Sequence, residues 1–270
     1  MNLHYKKTGA GLPLVLVHGA LADLRMWNRV QSILSLSYEV VSFSQRYFGR
    51  STDVERKDFG YQTHAEDLVN FLSTEVKQPC HIVAWSYGAD VALLAAKIEP
   101  RYFKSIFLYE LGRGTHLGAD DLTTYNRDVA EVFGKLGEIV EKEKTESGAA
   151  ALMDATANRI GYFSSQRHFD QIIQLENAHT LPMQLNQSAS EGVRCVDIAD
   201  MTFPMCFARG DRTRNLFKIA TDSAYACSLQ GTHRVVADAT HMLPIERPDV
   251  FSREVEAFLN FETRVTESSQ

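Results

Sequence analysis

One serine of this chain lies in a pattern that is typical of a catalytic nucleophile. Ser86 follows an apolar run, has the small residues Ala84 and Gly88 two positions before and after it, and precedes a helix-forming stretch. A strand, a sharp turn that carries the serine and a helix make up a nucleophile elbow, whose strained turn requires small neighbours. The alternative is an ordinary strand–turn–helix in which the serine is incidental. We predict that Ser86 is a nucleophile.

A serine hydroxyl is a weak nucleophile, so a general base must accept its proton. We favour His241, because a neutral imidazole titrates near working pH and this one directly follows the predicted strand 232–237. A second histidine, His18, ends the apolar run 13–17 and is followed by a glycine. At that turn we expect the backbone, rather than the imidazole, to act.

The order of these motifs resembles that of the α/β-hydrolase superfamily: a strand ending in His-Gly, a serine elbow and a late histidine. The resemblance covers about residues 12–110 and 201–262. It implies hydrolysis of a small carboxylic ester or lactone through an acyl-serine intermediate, with no metal and no organic cofactor. It also implies an oxyanion hole made of two backbone N–H groups, those of Tyr87 and, by position alone, Ala20.

Two carboxylates compete to be the acid that orients His241. In the common family pattern the acid follows the seventh strand, where Asp211 lies, although the usual spacing places Thr213 at that position. Some members carry the acid at the end of the sixth strand, about two dozen residues after the serine, where Glu110 stands. Ligands also bind at the carboxyl ends of strands in open α/β sheets. We favour Glu110 and keep Asp211 as the alternative.

Large apolar side chains near these motifs are candidates for the substrate pocket. We predict that Trp27, Phe48, Trp85 and Met242 line it. Apolar walls with few polar groups suit a hydrophobic ester or lactone. Packing in the core is the alternative for each of these side chains.

The fold alone does not fix the reaction. Relatives on the same fold use a similar Ser–His–acid set for carbon–carbon bond hydrolysis, hydroxynitrile cleavage or cofactor-free dioxygenation, in which His241 would act as base without acylation of Ser86. A slow-turnover ligand-binding or signalling protein is a further alternative. Haloalkane dehalogenases and epoxide hydrolases carry aspartate at the nucleophile position, so Ser86 argues against both.

Strand-like and helix-like segments alternate along most of the chain. The strands are predicted at 13–17, 38–43, 80–85, 104–109, 202–208 and 232–237, and helices at 64–75, 87–98, 214–227 and 249–261. This alternation predicts the α/β class, a mostly parallel central sheet with helices on both faces.

The region 112–200 interrupts the alternation. It contains only helical patterns, at 119–143, 147–160, 165–178 and 184–193. The resemblance implies a helical cap inserted after the sixth strand, with a core made of 1–111 and 201–262 and a polar tail at 263–270.

Composition narrows the class of protein further. The chain has 270 residues and a net charge of −6, which argues against nucleic acid and anionic membranes as partners. No run approaches the roughly 18 apolar residues of a membrane span. The four cysteines show no metal-binding spacing, so we expect a reduced, cytoplasmic chain that acts on a small molecule. The oligomeric state is not indicated.

Overall fold

The computed structural model describes residues 3–49, 59–142, 144–187 and 192–267, and the side chains up to residue 260. Seven strands form one sheet: β1 (Tyr5–Thr8), β2 (Pro13–Val17), β3 (Glu39–Phe43), β4 (Cys80–Trp85), β5 (Phe103–Tyr109), β6 (Met205–Gly210) and β7 (Thr232–Val236). Their order across the sheet is β1-β3-β2-β4-β5-β6-β7. Strand β1 pairs with β3 antiparallel, and the remaining neighbours are parallel.

The helices of the described residues cover both faces and one end of this sheet. They are α1 (Asn28–Leu34), α2 (Tyr61–Phe71), α3 (Tyr87–Ile98), α4 (Ala119–Phe133), α5 (Leu136–Lys142), α6 (Thr145–Thr156), α7 (Tyr162–Ser165), α8 (His168–Glu176), α9 (Leu181–Leu185), α10 (Cys195–Ala199), α11 (Asn215–Cys227), α12 (Leu243–Glu246) and α13 (Pro248–Glu267). Of these, α4 to α10 lie between β5 and β6.

Burial explains why the central strands are so apolar. Every residue of β2 and of β4 is buried, as expected for parallel strands that helices cover on both faces. The edge strand β1 has three consecutive exposed residues, so side chains on both of its faces reach solvent. Two buried clusters, one on each face of the sheet, form the hydrophobic core.

The α/β class and the mostly parallel sheet agree with the prediction. The strand before the helical insertion, β5, is the fifth described strand of this chain, whereas the resemblance implied the sixth. The difference arises because two described strands, and not three, precede the strand Glu39–Phe43. The predicted helix 119–143 is divided at Gly134, where an added Cβ would lie 2.3 Å from the carbonyl oxygen of Ala130. The predicted helix 184–193 is wrong, because α9 ends at Leu185; its residues 188–191 lie outside the described residues.

The C-terminal tail and the cysteines differ from expectation. Helix α13 continues to Glu267, into the predicted tail, and residues 268–270 lie outside the described part. Cys195 and Cys227 form a disulfide, so the expectation of a fully reduced chain is wrong for this pair. Two cysteines 32 residues apart without a motif carry no signal of pairing, because connectivity depends on the fold. Cys80 and Cys206 are buried and lie outside this disulfide. No helix in the described ranges is both long and apolar enough to cross a bilayer.

Candidate active site

Ser86 lies in a sharp turn between β4 and α3. Its backbone has φ 57° and ψ −127°, a combination that is costly for a residue with a side chain. A Cβ at Gly88 would lie 2.3 Å from the carbonyl oxygen of His18 and 2.7 Å from that of Val17. Only glycine therefore fits two positions after the serine, and the turn presents Ser86 at the carboxyl end of the sheet.

Three side chains from three strand ends form a continuous hydrogen-bonded chain. The Oγ of Ser86 lies 2.9 Å from Nε2 of His241, and Nδ1 of His241 lies 2.7 Å from Oε2 of Glu110. Because a carboxylate only accepts, Nδ1 carries the proton and Nε2 is left to accept from the serine hydroxyl. His241 and Glu110 are 2% and 0% exposed, so the chain reaches solvent only at the serine.

Glu110 is a fully buried carboxylate that is nevertheless hydrogen-bonded on both oxygens. Its Oε1 accepts from the backbone N–H of Gly210 (2.8 Å), and its Oε2 accepts from Oγ1 of Thr213 (2.7 Å) in addition to His241. A buried charge is tolerated only with such partners. Glu110 also has φ 55°, so the chain turns sharply where β5 ends.

The alternative acid, Asp211, is engaged elsewhere. Its Oδ1 accepts from the backbone N–H of Ala239 (3.3 Å), and its own N–H donates to Val236. The position three residues after Gly210, where the family pattern places the acid, holds Thr213, which donates to Glu110 instead.

The two residues whose backbone N–H groups are predicted to form an oxyanion hole, Ala20 and Tyr87, line the same cavity as Ser86. Tyr87 is the first residue of α3, and the N–H of a first helical residue has no acceptor within its helix. Ala20 lines the cavity beside Ser86. The neighbouring Gly19 is so close that a Cβ there would lie 3.1 Å from the Cβ of Ser86.

The side chain of His18 holds the loop that carries Ala20. No role was predicted for this side chain from the sequence. Its Nδ1 donates to the carbonyl oxygen of Gly19 (2.8 Å), and its Nε2 accepts from the backbone N–H of Gln45 (3.0 Å). The Gln45 side-chain amide donates in turn to the carbonyl oxygen of His18 (2.8 Å). Burial lowers the pKa of His18 to about 4, so the imidazole stays neutral and keeps this pattern.

A cavity of about 400 Å³ opens over Ser86 and His241. Trp85 and Met242 line it, and Trp85 Nε1 donates to the carbonyl oxygen of His241 (2.9 Å). The helical insertion supplies most of its apolar wall, including Val129, Phe133, Leu136, Leu152, Met153 and Leu181.

Two of the predicted pocket residues do not line the cavity. Trp27 is fully buried and stacks on Phe251 with ring centroids 5.8 Å apart. Phe48 is fully buried and packs its ring edge-to-face against His18, at 5.0 Å. Both were chosen for size and proximity to a motif, and neither property distinguishes a pocket wall from the core.

The cavity also has a polar part that the sequence analysis missed, formed by Tyr61, Asp90, Arg113 and Tyr125. Asp90 is an acidic residue within an otherwise apolar stretch of α3, four positions after Ser86. Residues four apart lie on the same face of a helix. That spacing was a signal that could have placed the carboxylate in the same cavity as the serine.

Comparisons with known proteins agree with this architecture. The family model described as the alpha/beta hydrolase fold matches residues 13–181. The uncharacterized hydrolase YraK of Bacillus subtilis (strain 168) is 29% identical over 93 residues. These residues make up 34% of this chain and 34% of that relative, so the match spans about a third of its length. The non-heme chloroperoxidase CPO-A1 of Kitasatospora aureofaciens is 25% identical over 199 residues, 73% of this chain and 69% of the relative. The enol-lactonase of Burkholderia xenovorans LB400 has the same fold, with a TM-score of 0.75 at 16% identity over 96% of both chains.

Proposed function

This chain belongs to the alpha/beta hydrolase family, and we propose that it is a serine hydrolase that cleaves a small carboxylic ester or lactone through an acyl-serine intermediate. The observation that carries the proposal is the unbroken chain from the Ser86 hydroxyl through His241 to the buried Glu110. A nucleophile, its base and the group that orients the base are the parts that acyl transfer requires.

In the first half of the reaction, Ser86 Oγ attacks the ester carbonyl carbon and its proton passes to Nε2 of His241. The negative charge that develops on the carbonyl oxygen is stabilised by the N–H groups of Ala20 and Tyr87. Each such donor contributes a factor of about 10²–10³ in rate. The intermediate then collapses, and the leaving alkoxide takes the proton from His241.

In the second half, water replaces the alcohol. His241 accepts a proton from water, the resulting hydroxide attacks the acyl-serine, and Ser86 recovers its proton when the acid leaves. Glu110 keeps the proton on Nδ1 throughout and stabilises the imidazolium that forms in each half. It remains a carboxylate.

The helical insertion acts as a cap in this proposal. Its helices α4, α5, α6 and α9 contribute the apolar wall opposite Ser86. A cavity of about 400 Å³ is within the usual range for small-molecule sites, so it can hold a small ester or lactone.

The test is intact-mass analysis after exposure to a fluorophosphonate, with wild type and Ser86→Ala treated in parallel. We expect one adduct on the wild type and none on Ser86→Ala. No adduct on folded wild-type protein would contradict an acyl-serine mechanism and favour chemistry in which His241 alone is the base. Screening of esters and lactones follows a positive result.

A further inference from the structure

The cavity has two chemically different ends. The apolar wall from the helical insertion occupies one end, and the side chains of Tyr61, Asp90, Arg113 and Tyr125 occupy the other, which we call the polar end. Ser86 lines the same cavity as both groups of side chains, so a substrate attached at the serine can contact both. A purely hydrophobic ester would place apolar atoms against these polar side chains.

Asp90 is fixed within the polar end. It follows Ser86 by one helical turn, and its N–H bonds to the carbonyl oxygen of Ser86 (3.3 Å). Its Oδ2 accepts from the backbone N–H of Gly112 (3.0 Å) and its Oδ1 from that of Arg113 (3.2 Å). With both oxygens held by backbone donors the carboxyl group is fixed in place, and only its protonated form can donate a hydrogen bond to a ligand.

Arg113 supplies a permanent positive charge to the polar end. Its guanidinium lies over the ring of Tyr61, with the central carbon 4.5 Å from the ring centroid. A guanidinium carries five N–H donors in a planar fork, which allows several partners at once. This is the geometry with which arginine binds a carboxylate through two parallel hydrogen bonds.

Three tyrosines of the described residues also lie near Asp90. Burial raises the pKa of Tyr61 on α2, Tyr87 on α3 and Tyr125 on α4 above the ordinary value, so all three are neutral near pH 7. The Tyr125 hydroxyl donates to the carbonyl oxygen of Gly112 (2.6 Å). Arg113 and Asp90 therefore set the charge of the polar end.

We propose that the polar end binds a free carboxylate of the substrate, so that the ester or lactone cleaved at Ser86 carries a second, anionic carboxyl group. This inference rests on the proposed function and specifies its substrate class. Four residues of α-helix rise about 6 Å, so the carboxylate lies a few bonds from the scissile carbonyl, as in the monoester of a short dicarboxylic acid. A cationic substrate group would instead be repelled by Arg113.

Protonation of Asp90 favours this ligand. Burial raises the pKa of Asp90 to about 7, against the lowering effect of Arg113 and the two backbone N–H donors. Below that pH the neutral carboxyl can donate a hydrogen bond to the bound anion; above it the Asp90 carboxylate repels the anion. Affinity for the half-ester therefore decreases as pH rises from about 6 to about 8, while affinity for a neutral ester does not follow this trend.

The binding experiment uses Ser86→Ala protein, which cannot turn over, and titrates it calorimetrically with monomethyl glutarate and with dimethyl glutarate. We expect Arg113→Gln in this background to weaken binding of the half-ester about tenfold to a hundredfold more than that of the diester, the usual effect of a lost charge-assisted hydrogen bond. Arg113→Lys should recover part of the difference. Arg101→Gln, which alters a side chain that is 70% exposed, is the control.

The kinetic experiment repeats the comparison with an intact Ser86 and measures kcat/KM for both esters at pH 6 and pH 8. Equal losses for the two esters in Arg113→Gln, or a wild-type preference for the diester at both pH values, would overturn the inference, and fluorophosphonate labelling of Ser86 would still uphold the proposed function. If Ser86 is not labelled but binding of the half-ester still depends on Arg113, the carboxylate site is upheld and the proposed acyl-serine function is overturned.

Discussion

The ring of Phe217 lies flat on the imidazole of His241, with centroids 3.7 Å apart and planes 9° apart. Trp85 borders the same imidazole at 5.4 Å and bonds to the backbone of His241. With Glu110 on Nδ1, the ring is therefore held by its face, its backbone and its edge. Phe217 belongs to the first turn of α11, so the start of that helix helps to orient the imidazole of His241.

Replacing Phe217 with leucine should lower kcat of ester hydrolysis by about tenfold to a hundredfold, because small misplacements of a catalytic group cost rate on this scale. The stacked face is lost while burial of the site is largely kept. Phe169→Leu, at an exposed position of α8, is the matched control. Unchanged kcat in Phe217→Leu would mean that Glu110 and Trp85 suffice to orient the imidazole.

The two carboxylates weighed from the sequence give opposite expectations. Glu110→Gln removes the charge beside His241 Nδ1 and presents a donor or a neutral acceptor there, so kcat should fall by about 10⁴. Asp211→Asn retains an oxygen that can accept from Ala239 N–H and should change kcat by less than about threefold. Steady-state kinetics on one activated ester decides the matter, and a larger loss in Asp211→Asn would contradict the assignment.

The elements next to the reacting groups could be predicted almost residue by residue. Strand β4 and helix α3 have the predicted bounds, because a fully apolar run and a following alanine-rich helix carry strong local signals. Glu110 could be favoured over Asp211 because it ends a predicted strand, and the carboxyl ends of parallel strands meet at the edge of the sheet where ligands bind. The Thr213 hydroxyl that supports Glu110 could not, since a single threonine in a loop carries no pattern.

Features that depend on contacts between distant segments of the chain could not be predicted from the sequence. Nothing local marks Trp27 as a core residue. The disulfide of Cys195 and Cys227 depends on how α10 docks against the end of α11. Helix α4 ends before Gly134. A glycine within a helical pattern ends the helix only in some contexts, so the sequence alone did not predict this end.

The helical insertion is attached to the active site through Asp128 of α4. Its carboxylate accepts from Nη2 (2.6 Å) and Nε (3.2 Å) of Arg214 and from the backbone N–H of Leu216 (2.9 Å), just before Phe217. Asp128→Ala leaves Arg214 buried with fewer partners, and loss of one member of a buried pair costs about 3–5 kcal/mol of unfolding free energy.

Urea denaturation measures this cost, and kcat should fall as well because the start of α11 loses its attachment. Glu131, which also pairs with Arg214 but is 69% exposed, provides the control: Glu131→Ala should cost less than about 1 kcal/mol. Similar losses in the two variants would show that the buried pair has no special weight.

The disulfide of Cys195 and Cys227 should contribute measurably to stability. It closes a loop of 32 residues, for which chain entropy predicts about 4 kcal/mol. The double variant Cys195→Ser, Cys227→Ser should lose about this amount of unfolding free energy, and a reductant should lower the stability of the wild type but leave that of the double variant unchanged. A reductant effect that persists in the double variant would show that the effect does not arise from this disulfide.

Buried histidines predict that stability declines in mild acid. Burial lowers the pKa of His18 to about 4, of His64 to about 3 and of His81 to about 4, and lowers that of His116. In the unfolded chain these groups take up protons below about pH 6.5. Their contribution is therefore complete above pH 6.5 and is lost as pH falls from 6.5 toward 4.

Asp90 acts in the opposite direction, because burial raises its pKa to about 7 and the folded state then holds a proton that the unfolded chain releases above about pH 4. The stability that Asp90 contributes is lost as pH rises from 4 to 7, but the opposite effect of the four histidines is larger.

Urea denaturation at pH 4.5, 5.5 and 6.5 should show unfolding free energy rising with pH. His81→Gln should flatten this slope by about 1 kcal/mol per pH unit, and Asp90→Asn should steepen it by a similar amount. Slopes are compared because a constant packing cost of either substitution does not alter them, and equal slopes in all three proteins would refute the assignment.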